Sequence, residues 1–191
     1  MDGTGAPLSP PDDDLVARAN GGDPAAFEAL YLRYRGWVHA LAYRFTRDRD
    51  AALDVLQETF LYLLRKFPGF SLTARMTTFL YPVVKNCSIE ARRKAERFAG
   101  DPEKVADVPS ADPPPGSEES DIAAILAVLS EEHRETLLLR FADGLSMEEI
   151  AGALGIPVGT VKSRLHRGRK LLQKKLFDYA IKNGYAKEKS R

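Results

Sequence analysis

Residues 155–172, GIPVGTVKSRLHRGRKLL, carry Lys162, Arg164, His166, Arg167, Arg169 and Lys170 and not one carboxylate. Cations at this density suit phosphates, because neutralising a row of them releases condensed counterions, and a guanidinium fork also matches the two acceptors on a guanine edge. The competing reading is a basic helix face that meets only water. The apolar residues decide between the two. Val161, Leu165, Gly168, Leu172 and Leu176 recur at steps of four, three, four and four, which is the inward stripe of a helix. On the other side Lys162, Ser163, His166, Arg167 and Lys170 gather near the helix start, where a recognition helix presents side chains to base edges. Thr160, Arg164, Arg169, Lys174 and Lys175 flank them and suit phosphates.

The residues just before this stretch predict the frame that such a helix needs. Ser146 and Glu149, three apart, make a capping box, and Leu145 and Ile150 stand where a hydrophobic staple fixes the chain's entry. A short helix from Ser146 buries Met147, Ile150, Ala151 and Leu154 and stops at Gly155, a residue able to turn left-handed. Pro157 suits the first turn of the next helix. A short helix, a three-residue turn and a longer basic helix make a helix-turn-helix. Gly168 is expected to pack against the preceding helix with room for a methyl group, so Gly168→Ala should stabilise this part of the chain.

Catalysis finds no comparable foothold. One Cys, Cys87, excludes an internal disulfide and a multi-thiolate zinc site, and His39, His133 and His166 are scattered. No metal, no cofactor and no enzymatic activity are expected, since an enzyme acting on nucleic acid would need a carboxylate cluster, a metal or a nucleophile–base pair.

The elements that must hold these residues are helical throughout. Phe27, Leu30, Tyr31, Tyr34, Val38, Leu41, Ala42 and Phe45 recur at helical steps, as do Leu53, Leu56, Phe60, Leu63, Leu64 and Phe67, with Pro68-Gly69 as the stop. A third helix is predicted over about Thr77–Arg97, bent by Pro82. No window alternates with period two. The fold class is therefore all-α: a small helical bundle and a C-terminal helix-turn-helix, joined by an acidic, Pro-rich linker.

Charge marks the same divisions. The net charge of +1 hides −3 over residues 1–13, +5 over 14–100, −6 over 101–121 and +5 over 122–191. Two basic blocks each face an anion, and the acidic stretch between them does not. Residues 1–13 read as an N-terminal tail, 14–98 as the bundle, 99–120 as the linker, 121–177 as the helix-turn-helix domain and 178–191 as a basic tail. The longest apolar run, residues 122–129, is too short to span a membrane, and the start lacks a signal peptide's pattern. A soluble protein of the reducing cytoplasm is expected.

LLLRFADGLSMEEIAGALGIPVGTVKSRLHRGRKLL resembles the fourth conserved region of bacterial sigma factors of the extracytoplasmic-function group. DAALDVLQETFLYLLRKF resembles that group's second region through Asp54, Gln57, Glu58 and Phe60, and TFLYPVVKNCSIEARRK is similar to its promoter-melting segment. The resemblance implies a non-enzymatic initiation factor that recruits core RNA polymerase to promoter DNA, both as duplex and as melted single strand. An anti-sigma protein is a further partner it suggests. It also implies that Asp54, Gln57 and Glu58 grip the coiled coil of the polymerase's largest subunit. Lys85, Asn86, Cys87, Ser88, Arg92 and Arg93 would then lie at and after a loop that captures an unstacked base. Phe79 stands where the family usually has Trp, and Gly168 where it tends to have Ala. The alternative is a dimeric helix-turn-helix regulator that binds an operator.

Overall fold

The computed structural model describes residues 10–98 and 126–182. Among them are seven long helices and no strand: α1 (Asp12–Asn20), α2 (Pro24–Thr46), α3 (Arg49–Leu64), α4 (Met76–Phe98), α5 (Glu131–Phe141), α6 (Met147–Leu154) and α7 (Val158–Lys182). They fall into two compact units, α1–α4 and α5–α7. The expected acidic linker lies outside the described residues.

In the first unit α2 packs on α1, α3 and α4, and α3 packs on α4. Local signals start each long helix: the Asp23 carboxylate accepts from the Ala25 N–H at 3.0 Å with Pro24 in the first turn, and Asp48 accepts from the Ala51 N–H at 2.7 Å. The core is Leu15 and Val16 of α1, Leu30, Val38 and Leu41 of α2, Val55, Phe60 and Leu63 of α3, and Met76, Leu80, Tyr81 and Val84 of α4. Each large side chain removed from water in this way contributes about 1.5–3 kcal/mol.

Two sequence expectations change here. The chain is already helical at Asp12, so the stretch read as a tail includes the first two residues of α1. Asp12 anchors that helix by accepting from the Arg33 guanidinium and the Tyr34 hydroxyl of α2. Leu53 and Leu64, counted in the inward stripe of α3, are 47% and 48% exposed, and the buried face is built with the smaller Ala52, Val55 and Thr59. The third predicted helix is α4, within one residue of each expected end, and it continues through Pro82.

At its far end α1 holds the connection between α3 and α4. The Asn20 side-chain oxygen accepts from the N–H groups of Gly69 and Phe70 at 2.7 and 3.0 Å, and its amide donates to the Phe70 carbonyl at 2.8 Å. One amide thereby satisfies three backbone groups of a loop that has no ladder of its own.

In the second unit α7 packs on α5 and α6. The capping box is complete: the Glu149 N–H donates to the Ser146 hydroxyl at 3.1 Å, and the Ser146 N–H donates to the Glu149 carboxylate at 2.7 Å. Leu145 and Ile150 are buried as a staple requires. Gly155 turns left-handed at φ 65°, leaving Gly155, Ile156 and Pro157 as the three-residue turn. Pro157 stands just before α7 rather than inside it, and its carbonyl accepts from Thr160 and Val161 N–H groups. The helix continues to Lys182, so residues 178–182, expected as tail, are helical.

Candidate nucleic-acid and protein interfaces

On α7 the inward stripe holds for most of its length. Val161 and Gly168 are buried, Leu165 and Leu172 are half-buried, and Leu176 is exposed, so the stripe ends before it. The partner of Gly168 is α5 rather than the preceding α6. A methyl carbon added there would sit 2.9 Å from Leu137 Cδ1 and 3.3 Å from His133 Cβ, so these side chains must shift to admit it.

Opposite the stripe Lys162, Ser163, His166, Arg167 and Lys170 are all exposed, and so are Arg169, Lys174 and Lys175. No carboxylate follows on this helix until Asp178. The Ser163 hydroxyl donates to the Thr160 carbonyl at 2.9 Å, which leaves its oxygen free to accept, while Thr160 itself is half-buried. Arg164 departs from the sequence reading. Its guanidinium meets the Glu132 carboxylate of α5 at 3.0 Å and the side chain is only 18% exposed, so it braces α7 against α5 instead of standing on the basic face.

In the first unit Asp54, Gln57 and Glu58 are exposed on α3, between the buried Val55, Leu56 and Thr59. They line a groove whose other wall is α4, with Glu90, Arg93, Lys94 and Arg97. Cys87 is half-buried in it, and burial, aided by Glu90 and Glu58, pushes its thiol above the usual range, so it stays protonated and unreactive.

The expected base-capturing loop is not where the sequence reading put it. Lys85, Asn86, Cys87, Ser88, Arg92 and Arg93 lie in the middle of α4, with their backbone groups taken up by the helix. Asn86, Arg92 and Arg93 are exposed, Lys85 and Cys87 half-buried, and Ser88 fully buried, so Ser88 cannot touch a base. The loop that does border α4 is residues 65–75, which Asn20 holds in place and the sequence reading missed. Its signal was Pro68-Gly69, taken only as a helix stop.

Residues 30–98 match Sigma-70 region 2, and residues 120–172 match Sigma-70, region 4. The RNA polymerase sigma-H factor of Pseudomonas aeruginosa is 33% identical over 86% of this chain and 93% of its own. The ECF RNA polymerase sigma factor SigW of Bacillus subtilis is 32% identical over 85% of this chain and 95% of its own. This chain belongs to the extracytoplasmic-function sigma factors. Among solved structures it is similar to the sigma factor RpoE of Bartonella quintana in complex with the anti-sigma factor NepR, with 29% identity, 78% of this chain and 96% of that one covered, and a TM-score of 0.61. The sigma factor is thus a non-enzymatic initiation factor that binds core RNA polymerase and directs it to promoter DNA. The operator-binding regulator is not favoured. No described helix of the sigma factor is long and apolar enough to cross a membrane.

Proposed function

We propose that the sigma factor divides its work between its two units, in the cytoplasm where polymerase and chromosome meet. The face of α3 that carries Asp54, Gln57 and Glu58 grips the polymerase coiled coil. Lys162, Ser163, His166, Arg167 and Lys170 of α7 read base edges in the major groove, and Arg169, Lys174 and Lys175 hold phosphates. Loop 65–75 receives the opened strand, and Lys85, Asn86, Arg92 and Arg93 supply polar and positive groups along α4. An anti-sigma protein, of the kind bound by the Bartonella relative, would compete for the groove between α3 and α4.

The observation that carries this reading is the exposure of Asp54, Gln57 and Glu58 between buried neighbours, which puts them on the solvent side of α3. A carboxylate and an amide nearly one turn apart suit Arg and backbone donors on a partner helix. Competition for core polymerase against a labelled parent tests it. Asp54→Arg should bind at least about tenfold more weakly with helicity unchanged, because charge reversal puts like charges across the contact. Binding equal to the parent's overturns the assignment.

A further inference from the structure

The loop between α3 and α4 is gripped by a residue that belongs to neither helix. Asn20, the last residue of α1, accepts from the Gly69 and Phe70 N–H groups at 2.7 and 3.0 Å and donates to the Phe70 carbonyl at 2.8 Å. Phe70 therefore has both its backbone groups paired to one side chain, as a neighbouring strand would pair them. Asn20 is itself held firmly. Leu15, Val16 and Ala19 bury the inner face of α1, and across the Gly21-Gly22 turn the Asp23 N–H donates to the Arg18 carbonyl at 3.1 Å while the Arg18 guanidinium meets the Asp23 carboxylate at 2.8 Å. What the grip fixes is a register. Phe70 is buried, Ser71 exposed, Leu72 half-buried and Thr73 exposed, the alternation of an extended chain, and a slip of one residue would turn the two hydroxyls inward. The chain just before it is pliable, since Gly69 stands at φ 102° with no Cβ to restrict it.

We propose that Asn20 is a positioning residue for strand capture: it sets the register of loop 65–75 before DNA arrives, so that α1 serves promoter opening without touching the strand. A loop already in its binding conformation spares the ordering cost that a free loop pays on capture, and the apparent affinity falls with the fraction of molecules in which the loop is not in place. This rests on the reading that loop 65–75 receives the opened strand.

The test uses holoenzyme assembled from core polymerase and the full chain. The probe is a promoter fragment selected by run-off transcription over genomic DNA, prepared as duplex and as a fork with the upstream element unpaired. Asn20→Ala should weaken fork binding by about 5- to 30-fold, the factor by which losing one or two such contacts lowers the population of an ordered state, with core affinity and binding to unmelted duplex unchanged. Amide hydrogen exchange of the free chain should rise at Gly69 and Phe70 and stay slow in the buried turns of α3 and α4. Asn20→Asp still accepts from both N–H groups and loses only the bond to the Phe70 carbonyl, so it should fall between Asn20→Ala and the parent in both readouts. Fork binding by Asn20→Ala equal to the parent's, or a loss matched by an equal loss of core affinity, overturns the assignment, because a general loosening of the bundle would weaken both. If Asn20→Ala loses helicity, Asn20→Asp is compared with the parent, and faster exchange at Phe70 with parental fork binding overturns it likewise. A photo-crosslinking amino acid at exposed Ser71 separates the two failures. Strand crosslinks with a harmless Asn20→Ala refute the positioning role alone, and no crosslinks refute the underlying reading with it.

Discussion

Arg164 and Arg167 stand three positions apart on one helix and face different partners. Arg164 is tied to Glu132 inside its own unit, whereas Arg167 stands exposed among Lys162, His166 and Lys170. Arg167→Ala should therefore cost about 1–3 kcal/mol of promoter binding and change preference at a defined base pair. Lys174→Ala should weaken all sequences alike and reduce the salt slope by about one. Binding titrations of holoenzyme against single-base promoter variants at several salt concentrations separate the two, and equal sequence-blind losses would refute the division. A second residue makes a pH statement. Burial, then the hydrogen bond and charge of Asp12, push the Tyr34 hydroxyl well above the usual tyrosine range. A raised folded value contributes stability that is complete below the unfolded pKa of about 10 and lost as pH rises towards the folded one. Alkaline unfolding followed by Trp37, the single Trp and a residue of the same unit, should thus be shallower in Tyr34→Phe above pH about 10.

At the scale of elements, the junction of α5 and α7 sets a steric cost against an expected gain. In an open helix Gly168→Ala would gain about 1 kcal/mol. Here the new methyl meets Leu137, which is buried and has little room to retreat, and overpacking costs typically 1–3 kcal/mol. Thermal unfolding should show Gly168→Ala lowering the melting temperature of the second unit, and a rise would mean that Leu137 gives way freely. The helix-turn-helix was legible because its signals are local: a capping box, a left-handed glycine and a stripe within thirty or so residues. The bundle was less so. Nine-residue α1 buries only Leu15, Val16 and Ala19, too few to show a period, and the contacts that hold it, Asp12 to Arg33 and Tyr34 and Asn20 to Gly69 and Phe70, lie 21 to 50 positions away in sequence. In α3 the buried face uses Ala52 and Thr59, whose hydroxyl returns to the Val55 carbonyl at 2.7 Å, and small or polar residues do not announce a core.

At the scale of the whole molecule, the candidate sites were legible as residue types and less so as places. The basic face of α7 and the exposed face of α3 stand where the helical periodicity put them, because exposure on a helix follows from sequence spacing. The base-capturing segment did not: the periodicity already put Lys85–Arg93 inside the third predicted helix, only the resemblance put them at a loop, and the structure keeps them within α4. The central claim is that polymerase capture and duplex reading reside in separate units, and one measurement reads both: run-off transcription with parallel sizing of the polymerase complex for Asp54→Arg and Arg167→Ala. Asp54→Arg should lose transcription together with co-elution, whereas Arg167→Ala should co-elute fully with core polymerase and lose only promoter selection. Full co-elution of Asp54→Arg, or loss of core binding by Arg167→Ala, would contradict it.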